Sequence, residues 1–190
     1  MRECFYLYFD SLKKDVPCDV YAGLLSVLCI GAVVFITWKG TQARKHVIGI
    51  MLMEYVFLLL SITVIFREQH EGRAYNFDPL WSYKEIARGE RQDLLTENIM
   101  NVVVFTPIGV LLGDVIQRKK TYNRWMMVMV FGLSLSLSIE GLQFTYRKGF
   151  AELDDVIHNT LGCIIGFAAY ICAKGTYKKL SKKMTSEAMF

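Results

Sequence analysis

The apolar residues of this chain are gathered into blocks, and the blocks have the length of a bilayer crossing. Residues 20–38 contain no Asp, Glu, Lys or Arg, and residues 47–66 contain only Glu54. Residues 99–116, 126–144 and 156–173 follow, each carrying a polar group that weakens it as a span. Roughly 20 apolar residues at 1.5 Å rise cross about 30 Å of hydrocarbon. Short charged connectors separate the blocks, and residues 67–97 form the one long loop. Composition agrees. Without counting glycine, 53% of the 190 residues are hydrophobic and only 21% are charged. A soluble domain has about 45–50% apolar residues with glycine included and about 25% charged. A disordered or collagen-like chain is excluded, since 14 glycines and 3 prolines are too few for either. The expected fold is all-α, a polytopic transmembrane bundle of about five spans.

Basic residues set the expected orientation. Lys39, Arg44 and Lys45 occupy one connector, and Arg118, Lys119, Lys120 and Arg124 another. Lys174, Lys178, Lys179, Lys182 and Lys183 follow the last block. Five spans place these three segments on one side, which the positive-inside rule makes cytoplasmic. The tail before residue 20 and the segment 145–155 lean acidic. The expectation is a multi-pass protein of the bacterial cytoplasmic membrane, N-terminus out and C-terminus in. No cleaved signal peptide is expected, because the first block begins late and no small-x-small site follows it. The formal net charge of +4 is explained by topology, so no nucleic-acid partner is expected. The lysine-rich tail suits anionic lipid.

Cys29, Cys163 and Cys172 lie in apolar blocks, where cysteine behaves as a small hydrophobe. Cys4 and Cys18 share the outer tail and could pair there, but no metal-ligand spacing such as C-x-x-C appears. Trp38, Trp81, Tyr83 and Trp125 read as interfacial anchors.

Polar residues inside the spans carry the functional signal, since a carboxylate at mid-span costs roughly 2.5–3.5 kcal/mol on insertion scales. Ser136, Glu140, Gln143 and Arg147 stack on one face of the fourth span at three- and four-residue spacing. The fifth span opens with Asp154 and Asp155, and Asp155, Asn159 and Gly162 share a face. Asn98 and Asn101 open the third. Three helices thus place polar groups at one depth on the outer side. Gly109 with Gly113 and Gly162 with Gly166 are small-xxx-small pairs that allow close helix contact. Pro107 interrupts the third span and frees the Val103 carbonyl. Glu54 reads as a protonated packing residue or part of an ion path, and His158 as a structural histidine or, with Asp154 and Asp155 within one turn, a metal ligand.

These residues resemble a known family. The run from Glu97-Asn98 through Asn101 to Pro107 and Gly109, then Glu140-Gly141-Leu142-Gln143, Arg147, and Asp154-Asp155 through Asn159 and Gly162, is similar in order and spacing to the VanZ family. Arg73, Asn76, Pro79, Ser82 and Tyr83 resemble that family's outer loop. The division that follows is an N-terminal tail and additional helix at 1–46, a VanZ-like transmembrane domain at 47–173, and a basic tail at 174–190. The resemblance implies a bacterial membrane protein of the cell envelope, related to teicoplanin resistance, with no settled activity.

Three readings of the cluster stand side by side. In the first, it binds or transports a lipid, a lipid-linked cell-wall precursor or a lipoglycopeptide, held by Asn98, Asn101, Gln143, Arg147, Asp154 and Asn159. The second is a membrane enzyme with Glu140, and Asp155 beside it, as acid or base on a lipid-linked or phospholipid substrate. Here the aspartates would suit Mg²⁺ or Ca²⁺. A purely structural network, with Glu140 paired to Arg147 or to an asparagine, is the third. No HExxH, P-loop, glycine-rich nucleotide motif or complete triad is present, and no cofactor is indicated. The long loop is placed to fold over the cluster as a lid.

Overall fold

The computed structural model describes residues 42–117 and 120–187, with scattered helical positions between 22 and 33. Most of the first expected span lies outside the described residues. So do the N-terminal tail, Cys4, Cys18, Trp38, Lys39, Arg118 and Lys119, and the expectations that fall on them. Helix α1, Gln42–Leu60, continues into a π-helical turn, Ser61–Ile65. Strand β1 (Ala74–Asn76) and helix α2 (Trp81–Arg88) occupy the long loop. Helices α3 (Asp93–Val115) and α4 (Thr121–Tyr146), strand β2 (Phe150–Glu152) and helix α5 (Leu153–Glu187) complete the chain. The protein is an all-α bundle, and four stretches are long and apolar enough to cross a membrane: Arg44–Ile65, Asp93–Val115, Thr121–Tyr146 and Leu153–Ser181. Helices α3, α4 and α5 begin three to six residues before their apolar blocks, so the polar residues that open them are already helical.

The distribution of side chains is that of a bundle in hydrocarbon. Ile50, Met53, Phe57, Val103, Val130, Leu137, Leu161 and Ile165 face outward, while Ser136, Glu140, Gln143, Asp154, His158 and Asn159 are buried. Water would favour the reverse; lipid does not. Glu54 lies on the exposed side of α1. The apolar core runs through Tyr55, Leu59, Phe105, Ile108, Leu112, Val128, Ile139, Phe167 and Tyr170. Trp125 packs edge-on against Phe167, ring centroids 4.7 Å apart, so it contributes to the core as well as to a helix end.

Helices α3 and α5 share the largest interface in the fold. All four glycines of the small-residue pairs lie in it. A Cβ at Gly109 would run into the Cys163 carbonyl, and one at Gly166 into the Thr106 carbonyl. Gly162 faces the Val102 carbonyl in the same way, and Gly113 lies under the Tyr170 ring. Backbone therefore meets backbone along two turns, which only glycine permits. Close to this contact, the Tyr55 hydroxyl donates to the Val104 carbonyl at 2.8 Å and ties α1 to the Pro107 region of α3.

The outcome expected is that Gly109→Ala or Gly166→Ala destabilises the protein in detergent by about 1–3 kcal/mol, the range for overpacking. Gly49→Ala, where a Cβ meets nothing, is the neutral control in the same thermal or denaturant measurement.

Candidate functional site

The site is built where α1 ends. The π-turn closes with Phe66 N–H donating to the Ser61 carbonyl at 2.9 Å, which leaves later carbonyls open. Groups at the C-terminal end of α4 take them: Gln143 Nε2 donates to Thr63 O at 3.0 Å and Lys148 Nζ to Ile65 O at 2.7 Å. Arg147 ends α4 in the left-handed region (φ 58°). Its carbonyl accepts from His70 N–H at 2.8 Å, and its exposed side chain reaches the Glu71 carbonyl at 3.4 Å. Segment 66–72 is thereby laid across the end of α4. The parallel pairing of β1 with β2, Ala74 opposite Phe150 and Asn76 opposite Glu152, extends it.

That path brings Arg67, an exposed residue, across the bundle end. Its guanidinium packs on Gly149, where a Cβ would stand 2.7 Å from Nη1; the φ of +93° there favours glycine. Arg67 is the cation that acts in common on four carboxylates from four elements: Glu97 of α3, Glu140 of α4, Glu152 of β2 and Asp155 of α5. Three of these are also hydrogen-bonded. Glu140 Oε2 accepts the Glu152 backbone N–H at 2.9 Å, and Asp155 Oδ1 accepts from Asn101 Nδ2 at 2.8 Å. Glu152 Oε2 accepts from the Trp81 indole at 2.8 Å. Burial pushes the Glu152 carboxyl up to about 7, with Glu97 and Asp154 adding to the rise and Trp81 and Arg67 opposing it.

Asp154 does different work. Wholly buried, it accepts Leu80 N–H at 2.6 Å, Ser82 N–H at 3.0 Å and the Ser82 hydroxyl at 2.5 Å. It is the N-terminal cap of α2, supplied from a helix distant in sequence, and its charge lies at the positive end of that helix. The left-handed Leu80 (φ 58°) is held in place by one of those bonds. Asn98 Nδ2 donates to the Ser82 hydroxyl at 3.0 Å, and Tyr83 OH lies 2.8 Å from His158 Nε2. Helix α2 is thus fixed over the ends of α3 and α5, where the sequence places a lid.

The expected site residues divide accordingly. Asn101 bonds Asp155 and Glu140 bonds β2, both carboxylates feeling the charge of Arg67, whereas Asp154 and Asn98 fasten α2. Asn159 donates to Ser136 Oγ at 2.9 Å one turn deeper, and Gln143 binds the end of α1. Glu140 does not pair with Arg147, which is directed to Glu71. Among the described residues, no group of three or more His, Cys, Asp or Glu side chains is placed to hold a metal ion. Arg67 influences these carboxylates electrostatically without an ion pair to any of them among the described residues. Sequence reasoning missed Arg67, Glu97 and Glu152, although Glu97 lies one turn before Asn101. Buried oxygens also remain without partners among the described residues: Gln143 Oε1, Asn159 Oδ1 and Thr160 Oγ1.

Apolar outward faces around a polar end define an integral helical membrane protein. The family model described as VanZ/LLP1 matches residues 46–174, well over half of the chain, and the chain belongs to that family. It is 35% identical over 74 residues to "Protein VanZ" of Enterococcus faecium. That stretch is 39% of this chain and 44% of the relative, so the chain spans less than half of it. No solved structure matches.

Removing the α2 cap should loosen that helix selectively. Asp154→Ala is expected to cost about 1–2 kcal/mol from the cap and to speed amide exchange and proteolysis at residues 77–92, leaving α3–α5 protected. A second expectation concerns pH. Because the folded carboxyl of Glu152 titrates near 7 against 4.5 when unperturbed, its contribution to stability is complete below 4.5 and lost as pH rises through 7. Trp81 fluorescence should therefore change with a midpoint near neutral pH, and Glu152→Gln should abolish the transition. A flat wild-type profile between pH 5 and 8 would refute it.

Proposed function

We propose that this protein acts at the bacterial cell envelope by binding or transporting a lipid or lipid-linked molecule at the polar end built around Arg67. In this reading the N-terminus is outside, the C-terminus is cytoplasmic, and the Arg67 end opens toward the outer leaflet. Arg44, Lys45, Lys120, Arg124 and Lys174, described at the opposite end, support that orientation. The observation that carries the reading is an excess of acceptors over donors. Four carboxylates feel the charge of one arginine in common, and the buried amide oxygens of Gln143 and Asn159 lack donors among the described residues. A buried acceptor without a donor costs about 1–3 kcal/mol, so a head group rich in amine or hydroxyl donors is the complement. Lipid-linked cell-wall precursors and lipoglycopeptides carry such groups, which accords with a role related to teicoplanin resistance. Arg147 stands outside the buried set, so recognition by phosphate alone fits less well.

The test compares wild type with Glu140→Gln and Asp155→Asn, purified at matched yield and incubated with the host's lipid extract and wall precursors. Mass spectrometry follows bound and converted species. Binding predicts a donor-rich lipid retained by wild type and reduced roughly tenfold in the variants, the loss of one charged hydrogen bond. Equal retention in all three proteins would overturn the proposal. A product formed only by wild type would make the protein an enzyme with Glu140 as acid or base.

A further inference from the structure

At the end of the bundle opposite Arg67 the charge balance is reversed. Asp114, near the end of α3 and 3% exposed, is the carboxylate of this region. Its Oδ1 accepts from Arg44 Nη2 at 2.9 Å and from the Tyr170 hydroxyl at 3.2 Å. The ion pair joins α1 to α3, and the tyrosine bond adds α5. Asp114 Oδ2 is buried with no partner among the described residues, and three more cations act on this region. Arg44, Lys45 and Arg124 all act on Lys174 against the single charge of Asp114.

Arg124 and Lys174 are the unspent pair. The Arg124 guanidinium lies over the rings of Phe167, at 5.0 Å, and Tyr170, at 5.7 Å. Among the described residues it donates through a long 3.5 Å contact from Nη2 to the Gly113 carbonyl, and its Nε is buried with no acceptor. Lys174 Nζ donates to Gln117 Oε1 at 2.5 Å and to the Tyr170 hydroxyl at 3.1 Å, both neutral groups. Neither cation has an ion pair among the described residues. Stacking on aromatic faces holds the guanidinium plane and leaves its N–H edge as a fork, the geometry that receives phosphate in two bonds. Lys174 is exposed, so the pair opens at the surface of the bundle, where the helices pass from apolar to charged sequence.

We propose that Arg124 and Lys174, backed by Arg44 and Lys45, form an anion site for a phosphate group. Two sources share that chemistry: the head group of an anionic phospholipid and free phosphate. The site is independent of the function proposed for the Arg67 end, and its failure would leave that reading untouched.

The full chain is placed in nanodiscs of phosphatidylcholine with and without phosphatidylglycerol, and bound lipid is counted by native mass spectrometry. Wild type should retain phosphatidylglycerol. Lys174→Gln should weaken retention roughly tenfold, and because that side chain is exposed the variant tests the site even if Arg124→Gln fails to fold. Arg124→Lys should keep part of the binding, and Lys178→Gln, farther along the tail, all of it. Inorganic phosphate titrated into phosphatidylcholine discs separates the sources. Binding lost in the Lys174 variant assigns a free-phosphate site; indifference to phosphate, with phosphatidylglycerol still bound, assigns the lipid. Retention of phosphatidylglycerol that falls equally in Lys174→Gln and Lys178→Gln, or in neither, overturns the proposal.

Discussion

The contact of α3 with α5 governs the rest of the structure. With no side chain between the two backbones at Gly109, Gly162 and Gly166, the helices approach closely enough to make small groups at their ends meet. Asn101 reaches Asp155 at one end, and Asp114 reaches the Tyr170 hydroxyl at the other. Those hydrogen bonds form because the helices are close. In hydrocarbon, where apolar burial offers little preference for helix over lipid, such packing is the main attraction between helices.

The same medium decides how polar groups are arranged. A carboxylate taken from water is costly unless donors surround it, and the two ends meet that cost differently. Asp154 is met by backbone and hydroxyl donors of α2 and becomes structural, binding a connecting helix to the bundle. Glu140, Glu152 and Asp155 each accept one hydrogen bond among the described residues and feel the charge of Arg67. Their donors do not match their capacity, since an ionised carboxylate offers about four acceptor positions. Adjacent aspartates thus have opposite roles, and it is the neighbours, one a helix N-terminus and the other an asparagine, that separate them.

Much of this was legible in the sequence. Block length gave the spans, the glycine pairs marked the α3–α5 contact, and three-and-four spacing placed Ser136, Glu140 and Gln143 on one buried face. What the spacing could not give is the path of the long loop. Trp81–Arg88 forms a helix only because Asp154, more than 70 residues later, caps it, and the pairing of β1 with β2 is equally distant in sequence. Arg67 and Glu152 lie on that path and were hidden for the same reason. Arg147 misled in the other direction. It extends the stripe by helical spacing, but the helix ends there in a left-handed residue and the side chain leaves the face.

Both ends are mounted on the same rod. Helix α5 carries Asp154, Asp155 and Asn159 in its first two turns and Tyr170 and Lys174 farther along, while α3 carries Glu97, Asn98 and Asn101 at one end and Asp114 at the other. A rigid α3–α5 pair therefore holds an acceptor-rich end and a cation-rich end in fixed relation. Their charges are opposite, and a bilayer core about 30 Å thick lies between them. Direct Coulomb coupling across that distance is weak beside contacts made at 3 Å. Any coupling between the ends must pass through the glycine interface, as a change in how closely the two helices lie.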